Sequence, residues 1–538
     1  MKFGRKLLTM VATLTALVTA FGGLFLNGAL VASAQDERPV LRIAQNASDI
    51  ATLNPHMASG TQDRSIVDMV FNGLIRFAPG DASQFLPDIA TELPTVEIDA
   101  NGAQVWTFSL RDDVTCHANP TAGTEAYTLT ADDVVFSYEN TANAETSATA
   151  GDYAGWSFAK VDDATVTITL ETPVSEALFF PRVANYAGGY ILCQQPYEAL
   201  GFEGFTTAPS GTGPFVFTSY TPQTNVILTA NDDFYRGAPQ LGGVEVRFIA
   251  DTTARELALQ TGELDVINGL PEATWVDRVN NTDGLAVDVF GVGEAVWLNL
   301  NTQHEILQDA RVREAIILAI DRGNHVNIAG APVAEPIYSV VPTNVVTGSL
   351  SEEEATEAGV NYAQNIDRAK ELLAEAGYPD GFSLDLVTSE QDAYRTQYEV
   401  LAEELRQIGI TVNLEVVQHA AMHDLIRQDA NPITIYIAYR PTADTYLTSF
   451  FTTSGGTTNF SKFTLDDLVA EARAETDPEK QLELWKQANT EIEQNFAGYG
   501  LLYTNQTYAR SERVNYGHEL INVPQLYPGI DETTTVGE

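Results

Sequence analysis

The sequence is poor in the residues that most often carry metal and thiol chemistry. Its 538 residues include two cysteines, five methionines, five tryptophans and seven histidines. The histidines form no His-x-His pair and no ligand cluster with the cysteines, so a metal site built from protein side chains is not expected. The calcium-loop pattern Asp-x-Asp/Asn-x-Asp/Asn-Gly is absent as well. We therefore expect neither a bound metal nor another cofactor.

Basic residues are also scarce. The chain has 29 lysines and arginines against 73 aspartates and glutamates, which gives a formal net charge of −44. Nucleic acids and anionic membrane surfaces would repel such a chain. An acidic, well-solvated surface is the simplest interpretation, and no nucleic-acid partner is expected.

The only two cysteines are Cys116 and Cys193. In an oxidising compartment such a pair favours a disulfide, which requires close Cα atoms. A catalytic thiol is the alternative, but no Cys-His constellation surrounds either residue. His117 adjoins Cys116, yet neighbours on a strand point to opposite faces. We expect a bridge.

One long hydrophobic run occurs, at the amino terminus. Residues 1–34 combine a basic start, an apolar stretch and small residues before Gln35, which predicts an export signal. A retained membrane anchor is the alternative, because the apolar run is long. No second membrane-spanning candidate is visible. We expect export across the cytoplasmic membrane, to the periplasm or the cell surface, with tethering if the segment is uncleaved.

The remaining chain is too long for one core, so two or three lobes are expected. Strand-like alternation and amphipathic helices follow one another without tandem repeats or low-complexity linkers, which is typical of α/β proteins. The segment 210–267 is a compact example. It opens with a Gly-Thr-Gly-Pro turn, in which Pro214 fixes its own φ and the glycines permit positive φ. Strands and a short helix that ends before Gly262 follow.

Two pairs of adjacent aspartates invite a catalytic interpretation. Asp112–Asp113 and Asp132–Asp133 could act as acid and base in a secreted hydrolase. Turn aspartates and first-turn helix charges explain them more simply, with Thr130 as the helix cap. The hydrolase is kept as the alternative from another functional class.

Four motifs in order resemble the family 5 extracytoplasmic solute-binding proteins of peptide/nickel-type ABC importers. Phe215 stands where the family has tyrosine after its Gly-Thr-Gly-Pro turn, and no lipobox cysteine is present, so a lipid anchor is not expected. The motifs are Gly211–Phe215, the loop from Asn231 to Pro239, Gly262–Asp265, and a helix from Asp309 to Arg322.

The resemblance implies an α/β, periplasmic-binding-protein-like class II fold, with two hinged lobes and an additional subdomain inserted in the first lobe. Hinges would fall near 291–297 and 496–501. The implied division assigns residues 35–78, 205–292 and 499–538 to the first lobe, residues 79–204 to the subdomain, and residues 293–498 to the second lobe.

In peptide-binding members, an aspartate of a Gly-Trp-x-x-Asp phrase pairs the peptide amino group, and a basic side chain meets its carboxylate. Here the phrase after the strand 433–438 is shortened to Ala-Tyr-Arg-Pro-Thr-Ala-Asp. Arg440 could hold a carboxylate in a bidentate fork, and two tyrosines could stack on a ring. The simpler alternatives are that the tyrosines pack in the core, that Asp444 caps a helix and that His419 lies exposed at the start of a helix. The candidate ligand-binding residues are Tyr439, Arg440, Asp444, Tyr446, His419, Trp297 and Asn54.

The resemblance implies a monomeric, non-enzymatic protein that captures an organic solute between its lobes and delivers it to an ABC permease in the membrane. An oligopeptide is the first expectation. An oligosaccharide is the alternative within the family, and a nickel ion carried in an organic chelate would need few protein ligands.

Overall fold

The computed structural model describes residues 38–537 apart from 292, 343–345, 441 and 524. The expected export signal, residues 1–34, lies outside these residues. Within the described part of the chain, no helix has both the length and the hydropathy needed to cross a membrane.

Strands are short and distributed over the whole described chain. They are β1 (Val40–Gln45), β2 (Ile75–Ala78), β3 (Asp81–Pro87), β4 (Thr95–Ile98), β5 (Gln104–Ser109), β6 (Thr115–Cys116), β7 (Tyr127–Thr128), β8 (Trp156–Asp162), β9 (Thr165–Leu170), β10 (Phe215–Thr221), β11 (Asn225–Ala230), β12 (Gly243–Phe248), β13 (Val266–Asn268), β14 (Leu285–Phe290), β15 (Ala295–Leu300), β16 (Ala334–Pro336), β17 (Phe382–Ser389), β18 (Ile410–Val417), β19 (Ile433–Ala438), β20 (Gly498–Thr504), β21 (Gln506–Ser511), β22 (Val514–Asn515) and β23 (Thr535–Val536).

Helices alternate with these strands. They are α1 (Thr61–Val70), α2 (Ala131–Thr141), α3 (Glu176–Val183), α4 (Gln194–Phe205), α5 (Thr252–Gln260), α6 (Ala273–Asn280), α7 (Ala310–Ala319), α8 (Arg322–Val326), α9 (Glu352–Glu357), α10 (Ile366–Glu375), α11 (Asp392–Arg406), α12 (His419–Arg427), α13 (Ala443–Phe451), α14 (Asp466–Ala474) and α15 (Pro478–Gln494). Short 3₁₀ turns occupy Ala150–Tyr153, Ala187–Gly189 and Thr453–Thr458.

A seven-stranded sheet, in the order β10-β11-β12-β1-β13-β21-β14, forms what we call the first lobe. Strand β1 is central and runs parallel to both β12 and β13. Its side chains alternate between two cores, with Ile43 in the cluster that contains α1 and Ala44 in the cluster on the opposite face. The strand therefore contributes apolar side chains to both faces of the sheet.

The second lobe is built on the antiparallel sheet β16-β20-β15-β19 and the parallel pair β17-β18. All six residues of β15 are buried, so this strand lies in the middle of the largest core cluster. The helix expected from Asp309 to Arg322 is interrupted. Helix α7 stops at Ala319, and Asp321 caps a separate helix α8 by accepting a hydrogen bond from Gly323 N.

The subdomain consists of the sheet β4-β5-β9-β8, the helices α2 and α3 and its own core cluster. Cys116 and Cys193 are wholly buried there and joined, with their Cα atoms 5.9 Å apart. The bond closes a loop with a sequence separation of 77 residues, which restricts the unfolded chain strongly.

Removal of this disulfide tests its contribution. The double substitution Cys116→Ser and Cys193→Ser is expected to lower the free energy of unfolding by about 2–4 kcal/mol. Urea unfolding followed by the fluorescence of the subdomain tryptophans would measure the loss, with reduced wild-type protein as the control. An unchanged unfolding midpoint would contradict the expectation.

The chain crosses between the two large sheets at two adjacent places. One crossing joins β14 to β15 through 291–294, and the other joins β20 to β21 at Asn505. Strand β20 pairs with β15, so residues 499–504, which the sequence assigns to the first lobe, belong to the second-lobe sheet. The apolar pattern of β20 indicates a buried strand but carries no information about its partner, which explains the difference.

Gly293 is where the two crossings touch. A Cβ atom on this residue would lie 1.1 Å from Thr504 O, a backbone atom that cannot move aside alone. Gly293→Ala is therefore expected to cost about 1–3 kcal/mol of stability through overpacking. Urea unfolding would measure this, with Gly529→Ala as control because its added Cβ meets only ordinary contacts. Equal losses in both variants would contradict the account.

The Gly-Thr-Gly-Pro segment uses its glycines differently from the expectation. Neither Gly211 nor Gly213 has a positive φ. A Cβ on Gly211 would lie 2.2 Å from Val70 O, and one on Gly213 would lie 2.6 Å from Met69 O. The glycines therefore permit close backbone packing against the end of α1, where Gly213 N donates to Val70 O.

Candidate functional site

The first lobe presents the carboxyl ends of its parallel strands toward the crossings. These ends are held by Arg255, which is wholly buried. Its guanidinium donates to Ile249 O, Ala250 O and Asn268 O, and to Asn46 Oδ1. Open α/β sheets bind ligands in the crevice outside this edge, so the surrounding loops form one wall of a candidate cleft.

The second lobe presents a matching edge. Strand β15 begins where β19 ends, because Ala295 is paired with Ala438. Glu294 and the segment Tyr439–Arg440 therefore leave the sheet side by side. The Tyr394 hydroxyl donates to Ile437 O, at a distance of 3.2 Å, and thereby joins α11 to the same edge.

Trp297 and Tyr446 are predicted ligand contacts that the structure places in the core. Trp297 is 0% exposed and Tyr446 is 1% exposed. Their rings pack against each other at 5.8 Å, and the Tyr446 hydroxyl donates to Ala438 O. An aromatic residue next to a strand end satisfies the sequence pattern equally well whether it faces the cleft or the core, and here both rings face the core.

Asn54 and Asp444 are also engaged within the protein. Asn54 is wholly buried, and its Oδ1 accepts a hydrogen bond from His56 N. Asp444 lies in the first turn of α13, which Thr442 caps, and its carboxylate pairs with Arg473 and accepts from Thr448 Oγ1. Asp444 also lines the larger of the two cavities described below. The Asn54 side chain instead stabilises its own loop through the hydrogen bond from His56 N.

Tyr439 and Arg440 stay at the cleft edge. Burial raises the pKa of Tyr439 well above its usual range, and Tyr186 of the subdomain and Tyr446 contribute. Tyr439 therefore lies where the lobes meet. The Arg440 guanidinium is half-buried, donates to the Tyr439 carbonyl and lies 5.4 Å from the centre of the Phe450 ring. Within the described residues, no carboxylate is within ion-pair distance of it.

Glu294 is a further candidate residue, which the sequence did not single out. Its side chain is exposed, yet desolvation raises the pKa of its carboxyl. A carboxyl in a concavity has both properties, because solvent still reaches it while protein atoms surround it. Burial raises the pKa of Tyr446, Arg440 opposes the shift, and Glu294 adds to it. Glu294 and Arg440 therefore both influence the pKa of Tyr446.

Among the described residues, Glu294 has no salt-bridge partner and no side-chain hydrogen bond. Its backbone oxygen accepts from Thr504 N at the crossing. A single acidic residue before an apolar strand is a common pattern, and only the strand pairing shows that this one meets Arg440 at the same edge.

His419 lies at the start of α12 with a second histidine that sequence reasoning missed. Its Nδ1 is 3.1 Å from Ser389 Oγ, and its ring centre is 4.6 Å from that of His423. His423 Nδ1 is buried without a partner, and burial lowers the pKa of this imidazole, with His419 and Arg427 adding to the shift. The His-x-x-x-His spacing was the available signal, since residues four apart share a helix face.

Arg64 is a second cation that the sequence did not single out. It projects from α1, donates to the Tyr186 hydroxyl and to Ser59 O, and stacks over the Tyr186 ring at 5.2 Å. Its Nε is buried without a partner, and its charge opposes the raised pKa of Tyr439. The first lobe thus places a guanidinium opposite Tyr439.

Two cavities extend along the interface between the subdomain and the second lobe. The larger has a volume of about 560 Å³ and lies between β8, α3 and the helices α13 and α14. The smaller, about 110 Å³, is lined by Tyr186 of the subdomain and Thr442 of the second lobe. Both are lined by Asp152, Leu178 and Arg182, so they are neighbouring parts of one gap.

The aspartates that could serve a hydrolase are engaged in structural contacts. Asp113 pairs with Arg111, and Asp132 pairs with Lys160, while Asp133 completes the capping box of α2 with Thr130. Ser389, which contacts His419, is wholly buried and accepts a hydrogen bond from Gln391 N. No three of the described His, Cys, Asp and Glu side chains are placed to hold a metal ion together.

A family model and several known proteins are similar to this chain. The model of the "Bacterial extracellular solute-binding proteins, family 5 Middle" matches residues 84–462. Heme-binding protein A of Haemophilus influenzae is 25% identical over 466 residues, which cover 80% of each chain. The glutathione-binding protein GsiB of Shigella flexneri is 24% identical over 508 residues, 87% of this chain and 90% of GsiB.

A solved structure is more similar in sequence. The periplasmic binding protein MoaA of A. tumefacien R10, in complex with mannopinic acid, is 35% identical with a TM-score of 0.75. The superposition covers 93% of this chain and all of MoaA. The predicted fold class, an α/β periplasmic-binding-protein fold, is confirmed.

Proposed function

The chain belongs to family 5 of the bacterial extracellular solute-binding proteins, and we propose that its cargo is an organic solute that carries both an amino group and a carboxylate. Family members bind organic solutes and work with ABC permeases; they are not enzymes. The observation that carries the proposal is the pair Glu294 and Arg440, which leave adjacent strands at one cleft edge and have no charged partner among the described residues.

The charges determine the chemistry of the cargo. A charge that is removed from water when the lobes close is costly unless it is paired. Glu294 suits an ammonium group, and the planar fork of Arg440 suits a carboxylate. Arg64 adds positive charge on the first-lobe side. A zwitterionic solute satisfies both signs, whereas a neutral sugar leaves them unpaired.

Oligopeptides are the first cargo class to test, since every free peptide carries both groups. Amino-acid conjugates fit the same pair. MoaA is in complex with mannopinic acid, and GsiB is named for glutathione. These names support a small organic solute and leave its length open.

Capture would proceed by hinge closure. The crossings at 291–294 and Asn505 are the proposed hinge, and the lobes close over the solute before delivery to the permease. We propose the division into a first lobe, a subdomain at 79–204 and a second lobe, with β20 transferred to the second lobe. The working unit is a monomer outside the cytoplasmic membrane.

Isothermal titration with blocked ligands would test the cargo class. Free di- and tripeptides and amino-acid conjugates are expected to bind, while N-acetylation or C-amidation weakens binding at least 10-fold because one charge is left unpaired. Oligosaccharides serve as the control panel. Equal affinity for blocked and free forms, or binding of oligosaccharides alone, would contradict the proposal.

A metal chelate is a second candidate, favoured by the His419–His423 pair. Two imidazoles on one metal ion, at about 2.1 Å per metal–nitrogen bond, bring their ring centres to about 5 Å, close to the separation of 4.6 Å. Titration with Ni²⁺, with and without free histidine, would test it. Binding that survives His423→Ala unchanged would contradict this candidate.

A further inference from the structure

The described residues between 514 and 537 form a segment that we call the clasp. Its beginning and its end are joined in the short sheet β22-β23. Between these strands, Tyr516 O accepts hydrogen bonds from Thr533 Oγ1 and Thr534 Oγ1. The clasp is therefore closed on itself, and it acts as one unit on the parts of the molecule that it contacts.

The clasp contacts the proposed hinge at Gly291. This residue follows β14, an edge strand of the seven-stranded sheet, and it is the first residue of the crossing 291–294. Asn522 of the clasp pairs with Gly291 as a parallel bridge, and Val523 N donates to Gly291 O at 2.7 Å. The clasp thus holds the backbone at the point where the chain leaves the first lobe.

The same stretch of the clasp contacts the hairpin β2-β3, which leads into the subdomain. Asn522 forms a second parallel bridge with Asp81, and Asn522 O accepts from Ala82 N at 2.8 Å. Asn522 N donates to Gly80 O. A Cβ atom on Gly80 would lie 1.8 Å from Glu519 O. One short stretch of backbone therefore lies between the hinge and the hairpin and is bonded to both.

Side chains hold the clasp on the first lobe over a polar base. Glu532 pairs with Arg236, with Oε1 and Nε 3.0 Å apart, and the Tyr527 hydroxyl donates to Arg64 O of α1. A cavity of about 60 Å³ lies beneath the clasp, and its lining includes the charged side chains Asp68, Arg76, Arg236 and Asp531. Water hydrates such a base at lower cost than an apolar core, so the clasp lifts more readily than the central strands separate.

We propose that the clasp is a conformational device that fixes the first-lobe end of the hinge and thereby strengthens the capture of the solute. The inference rests on the hinge of the proposed function. Hinge closure confines the change in backbone angles to a few residues. While the clasp holds Gly291, rotation is confined to the residues after it. When the clasp lifts, the open form gains conformational freedom that closure must remove, so affinity falls.

The effect is indirect, because the clasp stands apart from the proposed binding pair. Among the described residues, neither Glu294 nor Arg440 has a hydrogen bond or an ion pair with the clasp. A change in the clasp therefore alters affinity through the hinge alone.

Gly80→Ala and Gly102→Ala form a matched pair that tests this inference. Both glycines have a positive φ, +72° and +89°, so alanine strains the backbone at both positions. Only Gly80 lies against the clasp, since a Cβ on Gly102 meets nothing within 4 Å. In the ligand-free protein, the amides of 286–291 and 519–523 are expected to exchange hydrogen about 10-fold faster in Gly80→Ala than in Gly102→Ala. Isothermal titration with trialanine is expected to show about 3-fold weaker binding in Gly80→Ala.

A second pair repeats the test with a smaller change, and it decides the matter if Gly80→Ala does not fold. Glu532→Gln removes the ion pair with Arg236. Glu519→Gln is the control, because this clasp residue is exposed and has no ion pair among the described residues. Faster exchange in both segments and weaker binding of trialanine are expected in Glu532→Gln only.

Three results would overturn the inference. They are faster exchange of the clasp without faster exchange at 286–291, unchanged exchange in the test variants, and faster exchange of both segments with unchanged affinity for trialanine. Failure of the wild-type protein to bind trialanine would instead contradict the oligopeptide cargo. The exchange rates of the ligand-free protein would then still decide whether the clasp holds the hinge.

Discussion

Replacement of Arg440 by alanine is expected to weaken the binding of a carboxylate-bearing solute by about 100-fold or more. Charge-assisted hydrogen bonds to a guanidinium contribute about 1.5–3 kcal/mol, and truncation also leaves the ligand carboxylate desolvated without a partner. Isothermal titration with a peptide or amino-acid conjugate that the wild-type protein binds would measure the loss of affinity. The melting temperature of the unliganded protein should change little, because the guanidinium donates only to its neighbouring carbonyl and stacks on Phe450.

Two controls make this prediction specific. Arg406→Ala removes an exposed guanidinium that pairs with Glu403 at the end of α11, and it should leave affinity unchanged. Glu294→Gln should weaken binding of the amine-bearing solute but not of its N-acetylated form. If Arg440→Ala and Arg406→Ala bind equally well, the carboxylate site lies elsewhere.

Replacement of Glu493 by glutamine is expected to stabilise the protein in alkaline solution. Glu493 is wholly buried in α15, and its Oε2 has no hydrogen-bond partner. Burial raises the pKa of Glu493 to about 8, against the opposing effects of the Arg322 charge and the Gly500 N–H, which donates to Oε1. Glutamine is the neutral isostere of the protonated form.

The direction in which stability changes with pH follows from the linkage between proton binding and folding. Between the unfolded pKa of 4.5 and the folded pKa of about 8, the native state binds more protons than the unfolded state. Native stability from this group is therefore complete below pH 4.5 and is lost as the pH rises through 8. Above pH 8 the accumulated loss is about 4 kcal/mol.

Urea unfolding at pH 5 and pH 8.5 would measure the difference. The advantage of Glu493→Gln over wild type should be larger by about 4 kcal/mol at pH 8.5 than at pH 5. Glu483→Gln, on the exposed face of the same helix, is the matched control. A constant difference between the two pH values would contradict the protonated state of Glu493.

The sequence predicted local structure where one residue determines it. Thr130 caps α2 in a capping box with Asp133, and the segment 210–267 forms strands and the helix α5, which ends before Gly262 as expected. The sequence did not predict the features that tertiary contacts determine. The interruption at Asp321 and the membership of β20 depend on which strand or helix lies opposite, and no local pattern reports that.

The candidate site could be predicted only in part. Arg440 became a candidate because a basic residue follows a buried strand at a position where the family pattern changes. Trp297 and Tyr446 were candidates on a similar pattern, but an aromatic at a strand end can face either side, and both rings are buried. Glu294 and Arg64 were missed because their roles arise from strand pairing and lobe contact, between residues far apart in the chain.

The central claim is that the cleft edge of Glu294 and Arg440 holds a solute with an amino group and a carboxylate. Mass spectrometry of the compounds released when the purified protein is denatured tests it most directly. The account predicts a compound with both groups, released by wild type and missing from the Glu294→Gln/Arg440→Ala variant. Release of a compound that lacks either group would contradict it, as would no release together with no rise in melting temperature on addition of the peptide and conjugate panel.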